Sequence, residues 1–168
     1  AGGNINNTDE IKKLLNMGAD KVIINTALKN ENFIKKAVKI FGSSTIIGSV
    51  DCKKKNNNYE VYINRGEKII SKNCNKFSKK IESLGVGEIL VQLIDRDGSL
   101  QGYDLKLIKE IENNIKIPIL VSSGAGKWEH FYECFKQTKA SGVCVTNIFH
   151  FSEKSMIILK NYLKKNKI

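Results

Sequence analysis

Glu88-Ile-Leu-Val-Gln-Leu-Ile-Asp95-Arg96-Asp97-Gly98-Ser99 is an apolar run that ends abruptly in acids, a glycine and a hydroxyl. Its length and apolar continuity read as a buried strand, and its polar end as the loop that follows. Working outward, the same layout recurs at Val22-Ile-Ile-Asn25-Thr26, Ile46-Ile-Gly-Ser-Val-Asp51, Ile119-Leu-Val-Ser122-Ser123-Gly124 and Val143-Cys-Val-Thr146-Asn147. Hydrogen-bonding residues thus collect at the carboxyl ends of consecutive buried strands. In parallel α/β proteins that is where sites are built, so the pattern points to an enzyme on a barrel-like scaffold.

Helical signals alternate with these runs. Ile11, Leu14 and Leu15 share a face within Thr8 to Met17, and Gly18 is a stop signal. Phe33, Ile34, Ala37, Val38 and Phe41 mark a helix from about Glu31 that Gly42 ends. Further helices are expected over Lys76 to Leu84, around Leu105, Ile108 and Ile111, over Trp128 to Lys136, and over Ser155 to Lys165. Between Asp51 and the third of these helices, Tyr59-Glu-Val-Tyr-Ile and Glu67-Lys-Ile-Ile flank Asn64-Arg65-Gly66 and read as a hairpin inserted at about residues 57–72. A repeat of roughly 25 to 30 residues is the βα unit of a parallel sheet. Two windings compete: an open doubly wound sheet, or part of a (β/α)8 barrel. No Gly-x-Gly-x-x-Gly opens a helix, which weighs against a dinucleotide-binding sheet. About five strands are too few to close a barrel of eight.

The 168 residues, 41% hydrophobic and 27% charged, suffice for one domain with a real core. No apolar stretch approaches the ~20 residues of a bilayer span, and Ala1-Gly-Gly-Asn-Ile-Asn has neither the basic nor the apolar region of a secretory signal. The net charge of +11 is carried almost wholly by Lys, with Arg65 and Arg96 as the arginines. Nucleic-acid readers rely on Arg forks and clustered basic stripes, so the charge reads as solvated helix faces. Neither a membrane nor a nucleic-acid partner is expected. Cys52, Cys74, Cys134 and Cys144 form no Cys-x-x-Cys pair and have no His at zinc-ligand spacing, so neither a metal nor a disulfide is expected. Cys144, inside an apolar run, is expected to be buried. Free thiols without a signal peptide suit a reducing cytoplasm.

One family carries these motifs in this order. Gly18-Ala-Asp20-Lys21, Ile24-Asn25-Thr26-Ala27, Phe41-Gly42-Ser43 before the strand ending in Asp51, Gly87-Glu88-Ile89-Leu90, Asp95-Arg96-Asp97-Gly98, Gly102-Tyr103-Asp104, Gly124-Ala125-Gly126 with Glu129-His130-Phe131, and Phe149-His150-Phe151 together resemble HisF. HisF is the cyclase subunit of imidazole glycerol phosphate synthase in histidine biosynthesis, a (β/α)8 TIM barrel. The resemblance implies a lyase/cyclase that needs no cofactor. Ammonia from a HisH-type glutaminase passes through the barrel and joins a bis-phosphorylated ribulosyl-formimino aminoimidazole carboxamide ribonucleotide.

Matched to the family's motifs, Asp51 takes the position of one of two catalytic carboxylates, able to move protons at nitrogen and oxygen during ring closure. One phosphate is expected at Gly2 and Gly3 with Asn25 and Thr26, and the other at Gly98, Ser122, Ser123 and Gly124 with Thr146 and Asn147. Turns of small residues present backbone N–H groups to an anion without steric cost, although any βα loop also favours such residues. Asp97 is expected to contact substrate or a neighbouring ligand group. Lys21 and Glu88 match a ring of charges gating ammonia at the barrel base, and Asp20 matches a position facing the glutaminase. Asp95, Arg96, His130 and His150 read as structural.

The resemblance runs over 1–168 as a single, partial barrel domain and begins where the family's third strand ends. About the last five βα units are expected here, with roughly 80 residues of a typical ~250-residue barrel, including the other catalytic Asp, supplied from elsewhere. Asn4 stands where the family has a third glycine, Gln92 where it has a small hydroxyl residue, Ser123 where it has glycine, and Thr146-Asn147 for a smaller Ala-Ser pair. These departures lie at phosphate-contacting strand ends. They leave open a HisF-like paralogue that channels ammonia for amidation of a surface-polysaccharide sugar, or an inactive barrel fragment.

Overall fold

Glu88 to Leu93 does form a strand, and its neighbours define the winding of the molecule. The computed structural model describes residues 1–150 and 155–168, with Asn147 and His150 described by backbone alone. In chain order the elements are α1 (Thr8–Asn16), β1 (Val22–Ile24), α2 (Glu31–Phe41), β2 (Ile46–Lys55), β3 (Asn58–Ile63), β4 (Lys68–Ser71) and α3 (Cys74–Ser83). They continue as β5 (Glu88–Leu93), α4 (Leu105–Glu112), β6 (Ile119–Ser122), α5 (Trp128–Gln137), β7 (Gly142–Val143), α6 (Asn147–His150) and α7 (Met156–Lys165).

The helices begin where side chains satisfy the orphan N–H groups of the first turn. Asn7 caps α1 in a reciprocal box with Glu10, and Asn30, Asn73, Asp104 and Ser155 cap α2, α3, α4 and α7. Part of the chain's asparagine richness therefore has a local structural use.

The parallel strands lie in the order β1, β2, β5, β6, β7, which is also their order in the chain. On the far side of β1, Gly2 makes a parallel bridge to Ile23. A doubly wound sheet reverses its strand order at a switch point. None of these strands does so, and of the two windings the sequence left open the sheet has the barrel type.

Alternation then sorts the side chains. On β2, Ile46, Val50 and Cys52 join the core between sheet and helices. Gly48 lies on that same face, where an added Cβ would stand 2.8 Å from the Ile81 side chain of α3. Ile47, Ser49 and Asp51 therefore face the opposite, inner side. Likewise Ile89, Val91 and Leu93 of β5 enter the helix-side core, which leaves Glu88, Leu90 and Gln92 on the inner face. Below α5, Phe131 is fully buried, edge-on to Tyr103 at 5.9 Å and tilted against Trp128 at 6.1 Å.

The hairpin β3–β4 is antiparallel and joins the sheet through β2. One edge of β2 pairs with β1 through Ile46 to Gly48 and then with β3 through Asp51 to Lys55. Asn25 stands at that handover, its Nδ2 donating to the carbonyls of Ser49 at 3.2 Å and Tyr62 at 3.4 Å.

Two local expectations are corrected. The apolar run from Glu88 leaves strand geometry at Leu93, and Ile94–Arg96 is a 3₁₀ turn. The run from Val143 contributes only Gly142–Val143 to the sheet, and Cys144 is exposed. The described β7 pairs on one side alone, with β6. Phe151 of the family motif lies outside the described residues. No helix among the described residues is long and apolar enough to cross a membrane.

Candidate active site

Asp51 is the last inner-face residue of β2 before that strand leaves the parallel ladder. It opens into a cleft of about 740 Å³ that is also lined by Gly3, Asn25, Thr26, Ser49 and Arg65. Three observations describe its carboxyl group. It is largely enclosed, and burial pushes its pKa above the ordinary carboxylate range. The Ser49 hydroxyl donates to Oδ1 at 2.6 Å, which pulls the pKa back down. Among the described residues no donor is seen on Oδ2. A carboxyl group raised toward the working pH and open on one oxygen is suited to give and take protons.

The residues around Asp51 form a connected rim. Thr26 Oγ1 donates to Asn25 Oδ1 at 3.4 Å and accepts from the backbone N–H of Asn64 at 3.1 Å. Asn25 and Thr26, expected as phosphate contacts, thus also clip the hairpin tip to the end of β1. Gly3 has φ +112 and open space where a Cβ would project, so its backbone is accessible from the cleft. Ser49, Asn64, Arg65 and Glu67 also line the cleft and were missed in the sequence. Ser49 carried a usable signal, since residues two apart on a strand share a face. The hairpin's place in the chain just beyond Asp51 marked it as a rim of the site, but not which of its residues line the cleft, because that depends on how the hairpin folds back.

A second, smaller pocket of about 130 Å³ lies at the carboxyl ends of β5, β6 and β7. Asp97, Gly98, Ser122, Gly124 and Thr146 line it, as do Ser123 and Ala125. The side chain of Asn147, the remaining residue expected here, lies outside the described residues. Ser123 has φ +79, a conformation that favours glycine, and its Oγ is buried without a hydrogen-bond partner among the described residues. A buried hydroxyl with an open valence in a small-residue pocket invites a polar ligand. Gly124 has φ +97, and a Cβ there would stand 2.3 Å from the Gly102 carbonyl oxygen.

The surrounding loop is held from outside the pocket. Arg96 Nη1 donates to the carbonyls of Gly102 and Tyr103, both at 3.0 Å, and His130 Nδ1 accepts from Gly126 N–H at 3.1 Å. Burial lowers the His130 pKa, in keeping with a neutral ring that accepts. Asp95 accepts from Lys54 N–H at 2.7 Å. Gly124→Ala should distort this loop, because a positive φ is strained for alanine and the Gly102 carbonyl must move. Amide chemical shifts of Ser122 to Gly126 check it.

The two clefts are linked by a single row across the sheet. Asp51 pairs in register with Gln92, and Gln92 with Ser122. Two strand spacings place the ends of that row roughly 10 Å apart. At the opposite end of the strands, Lys21 Nζ meets Glu88 Oε1 at 2.5 Å, with exposed Asp20 beside it. Glu88 stands beside Ile47 in register, four residues before Asp51, or about 13 Å along the strand. Among the described residues there is no group of three or more His, Cys, Asp or Glu side chains able to hold a metal ion.

A parallel sheet wound in one direction, with an enclosed carboxylate and a small-residue pocket at its carboxyl edge, defines an enzyme-type βα chain of the barrel class. The family described as "Histidine biosynthesis protein" matches residues 1–155. Imidazole glycerol phosphate synthase subunit HisF of Hydrogenobaculum sp. (strain Y04AAS1) is 44% identical over 169 residues, covering 99% of this chain and 67% of that protein. The HisF subunit of Saccharolobus solfataricus is 41% identical over 168 residues, covering 99% of this chain and 67% of its own length. That of Clostridium botulinum (strain Okra / Type B1) is 39% identical over 167 residues, covering 98% and 66%. The chain belongs to the HisF family. It spans about two thirds of the length of these curated relatives.

Proposed function

We propose that this chain forms the last five βα units of a HisF-type barrel, one domain over 1–168 with the hairpin inserted after the strand that carries Asp51. Its reaction is that of the cyclase subunit of imidazole glycerol phosphate synthase. Ammonia is joined to the bis-phosphorylated ribulosyl-formimino aminoimidazole carboxamide ribonucleotide, and imidazole glycerol phosphate and an aminoimidazole carboxamide ribonucleotide are released. The observation that carries this reading is Asp51, an enclosed carboxyl with one open oxygen, on the same sheet row as the Ser122 pocket.

In this reading Asp51 transfers protons as the incoming nitrogen closes the ring. One phosphate of the elongated substrate sits against Gly3, Asn25 and Thr26. The other sits against Gly98, Ser122, Gly124, Thr146 and Asn147, with Asp97 at the pocket's edge. The spare Ser123 hydroxyl supports an anion there. Lys21 and Glu88 gate ammonia at the base, and Asp20 faces a HisH-type glutaminase. The protein works in the cytoplasm without a cofactor and without nucleic-acid or membrane partners.

The test is turnover of the bis-phosphorylated nucleotide with free ammonium by the protein that carries this chain together with the strands that close its barrel. Release of the aminoimidazole carboxamide ribonucleotide is the expected result. A folded barrel that neither binds nor turns over that nucleotide, yet supports amidation of a sugar when paired with a glutaminase, overturns it in favour of ammonia channelling.

A further inference from the structure

Ser49 and Asp51 are separated by one residue on β2 and therefore project from the same face of the strand. Ser49 is 5% exposed, and its hydroxyl is directed at Asp51 Oδ1 at 2.6 Å. Its backbone carbonyl is itself held, accepting from Asn25 Nδ2 at 3.2 Å. Asn25 in turn is tied through Thr26 to the hairpin tip. The serine is thus a buried, fixed donor rather than a freely turning hydroxyl.

We propose that Ser49 is the positioning residue for Asp51, holding Oδ1 so that Oδ2 is the oxygen that exchanges protons with the substrate. This rests on the reading of Asp51 given above. The physical argument is one of orientation. An aspartate at a strand end has two rotatable bonds, and proton transfer demands a donor–acceptor distance within hydrogen-bond reach. A charge-assisted hydrogen bond of the O–H···O⁻ type is short and directional, and it selects one carboxylate rotamer. It also favours the ionised form and so opposes the effect of burial. The other groups facing Asp51 do not duplicate this. Gln92, beside it on β5, is neutral, as are Asn25 and Thr26 at the end of β1. On β3 Tyr62 stands in register beside Asp51 but its hydroxyl donates to Glu60, and Lys53, two residues on along β2, donates to the Gly66 carbonyl. From the hairpin, Arg65 and Glu67 line the same cleft with opposite charges. From the amino-terminal segment come Gly3, Asn4 and Asn6, all uncharged.

The experiment follows the Asp51 carboxyl carbon and the Ser49 Cβ by ¹³C NMR across a pH titration of the barrel-completed protein. In the unaltered protein both resonances should move with one midpoint. In Ser49→Ala the Asp51 midpoint should rise by about one pH unit, and in Ser49→Thr, which keeps the hydroxyl, it should stay near the starting value. In the barrel-completed enzyme the acidic limb of the kcat profile should move upward with it, a change that a purely structural serine would not produce. Independent midpoints for Ser49 and Asp51 in the unaltered chain overturn the proposal even where Ser49→Ala does not fold. An unchanged Asp51 midpoint in folded Ser49→Ala does so as well. Should the two residues titrate together while Asp51→Asn still cyclises at the normal rate, the positioning stands and the catalytic reading of Asp51 falls.

Discussion

Asp51→Asn, made in the barrel-completed protein, is expected to lower cyclisation with free ammonium by about 10²- to 10⁴-fold, the usual worth of a positioned proton-transfer group. The amide keeps the size and an acceptor oxygen for the Ser49 hydroxyl, so the cleft geometry survives while the titratable proton is lost. Binding of the bis-phosphorylated ligand should change little, because in the proposed reading its phosphates sit at other residues. Single-turnover kinetics separate the two effects. A variant that cyclises within a few-fold of the parent sinks the assigned role.

The same substitution has a stability signature of defined sign. The folded Asp51 pKa is raised, with burial the principal cause. A group so shifted stabilises the fold fully below its unfolded pKa, and that contribution is lost as pH rises through the folded value. At neutral pH the ionised carboxylate is therefore a liability, and Asp51→Asn should raise Tm there. The gain should vanish as the pH falls below the ordinary carboxylate range. A Tm measured at both pH values, together with the rate, shows function and stability opposed at one residue.

Phe131→Ala is expected to cost about 3–5 kcal/mol, the largest stability loss we foresee for a single truncation. Phe131 has no exposed surface, and its ring meets Tyr103 and Trp128 in the geometries that aromatic pairs prefer. Truncation leaves a cavity beneath α5, and neither ring can swing in without abandoning its own packing. Tyr103 and Gly102 are the carbonyl partners of Arg96, so loosening there should also disturb the loop over the second pocket. Urea unfolding should show a midpoint lowered in proportion to that loss, with an unchanged slope. A shift worth under 1 kcal/mol would show that the site collapses freely.

The parallel strands were readable from residue order alone. Apolar runs ending in polar residues marked the parallel strands, and periodic apolar faces marked the helices, whereas the caps Asn30 and Asn73 were supplied by the structure. Where the chain departs from that reading, tertiary context is the reason. Val143 to Thr146 has strand composition but a single pairing partner among the described strands, so only Gly142 and Val143 join the ladder. Composition cannot report a missing neighbour.

By itself the sequence determined the βα alternation, the collection of polar groups at strand carboxyl ends and the family. These follow from local periodicity and from residue types at short spacing, which are properties of neighbouring positions in the chain. The strand order without reversal, the sharing of one β2 edge between β1 and the hairpin, and the Lys21–Glu88 pair spanning 67 positions were decided only in three dimensions. The same holds for the separation of the site into two clefts joined through Gln92. Each depends on contacts between residues far apart in the chain, where hydrogen-bond satisfaction and close packing choose among arrangements that local propensity leaves equal.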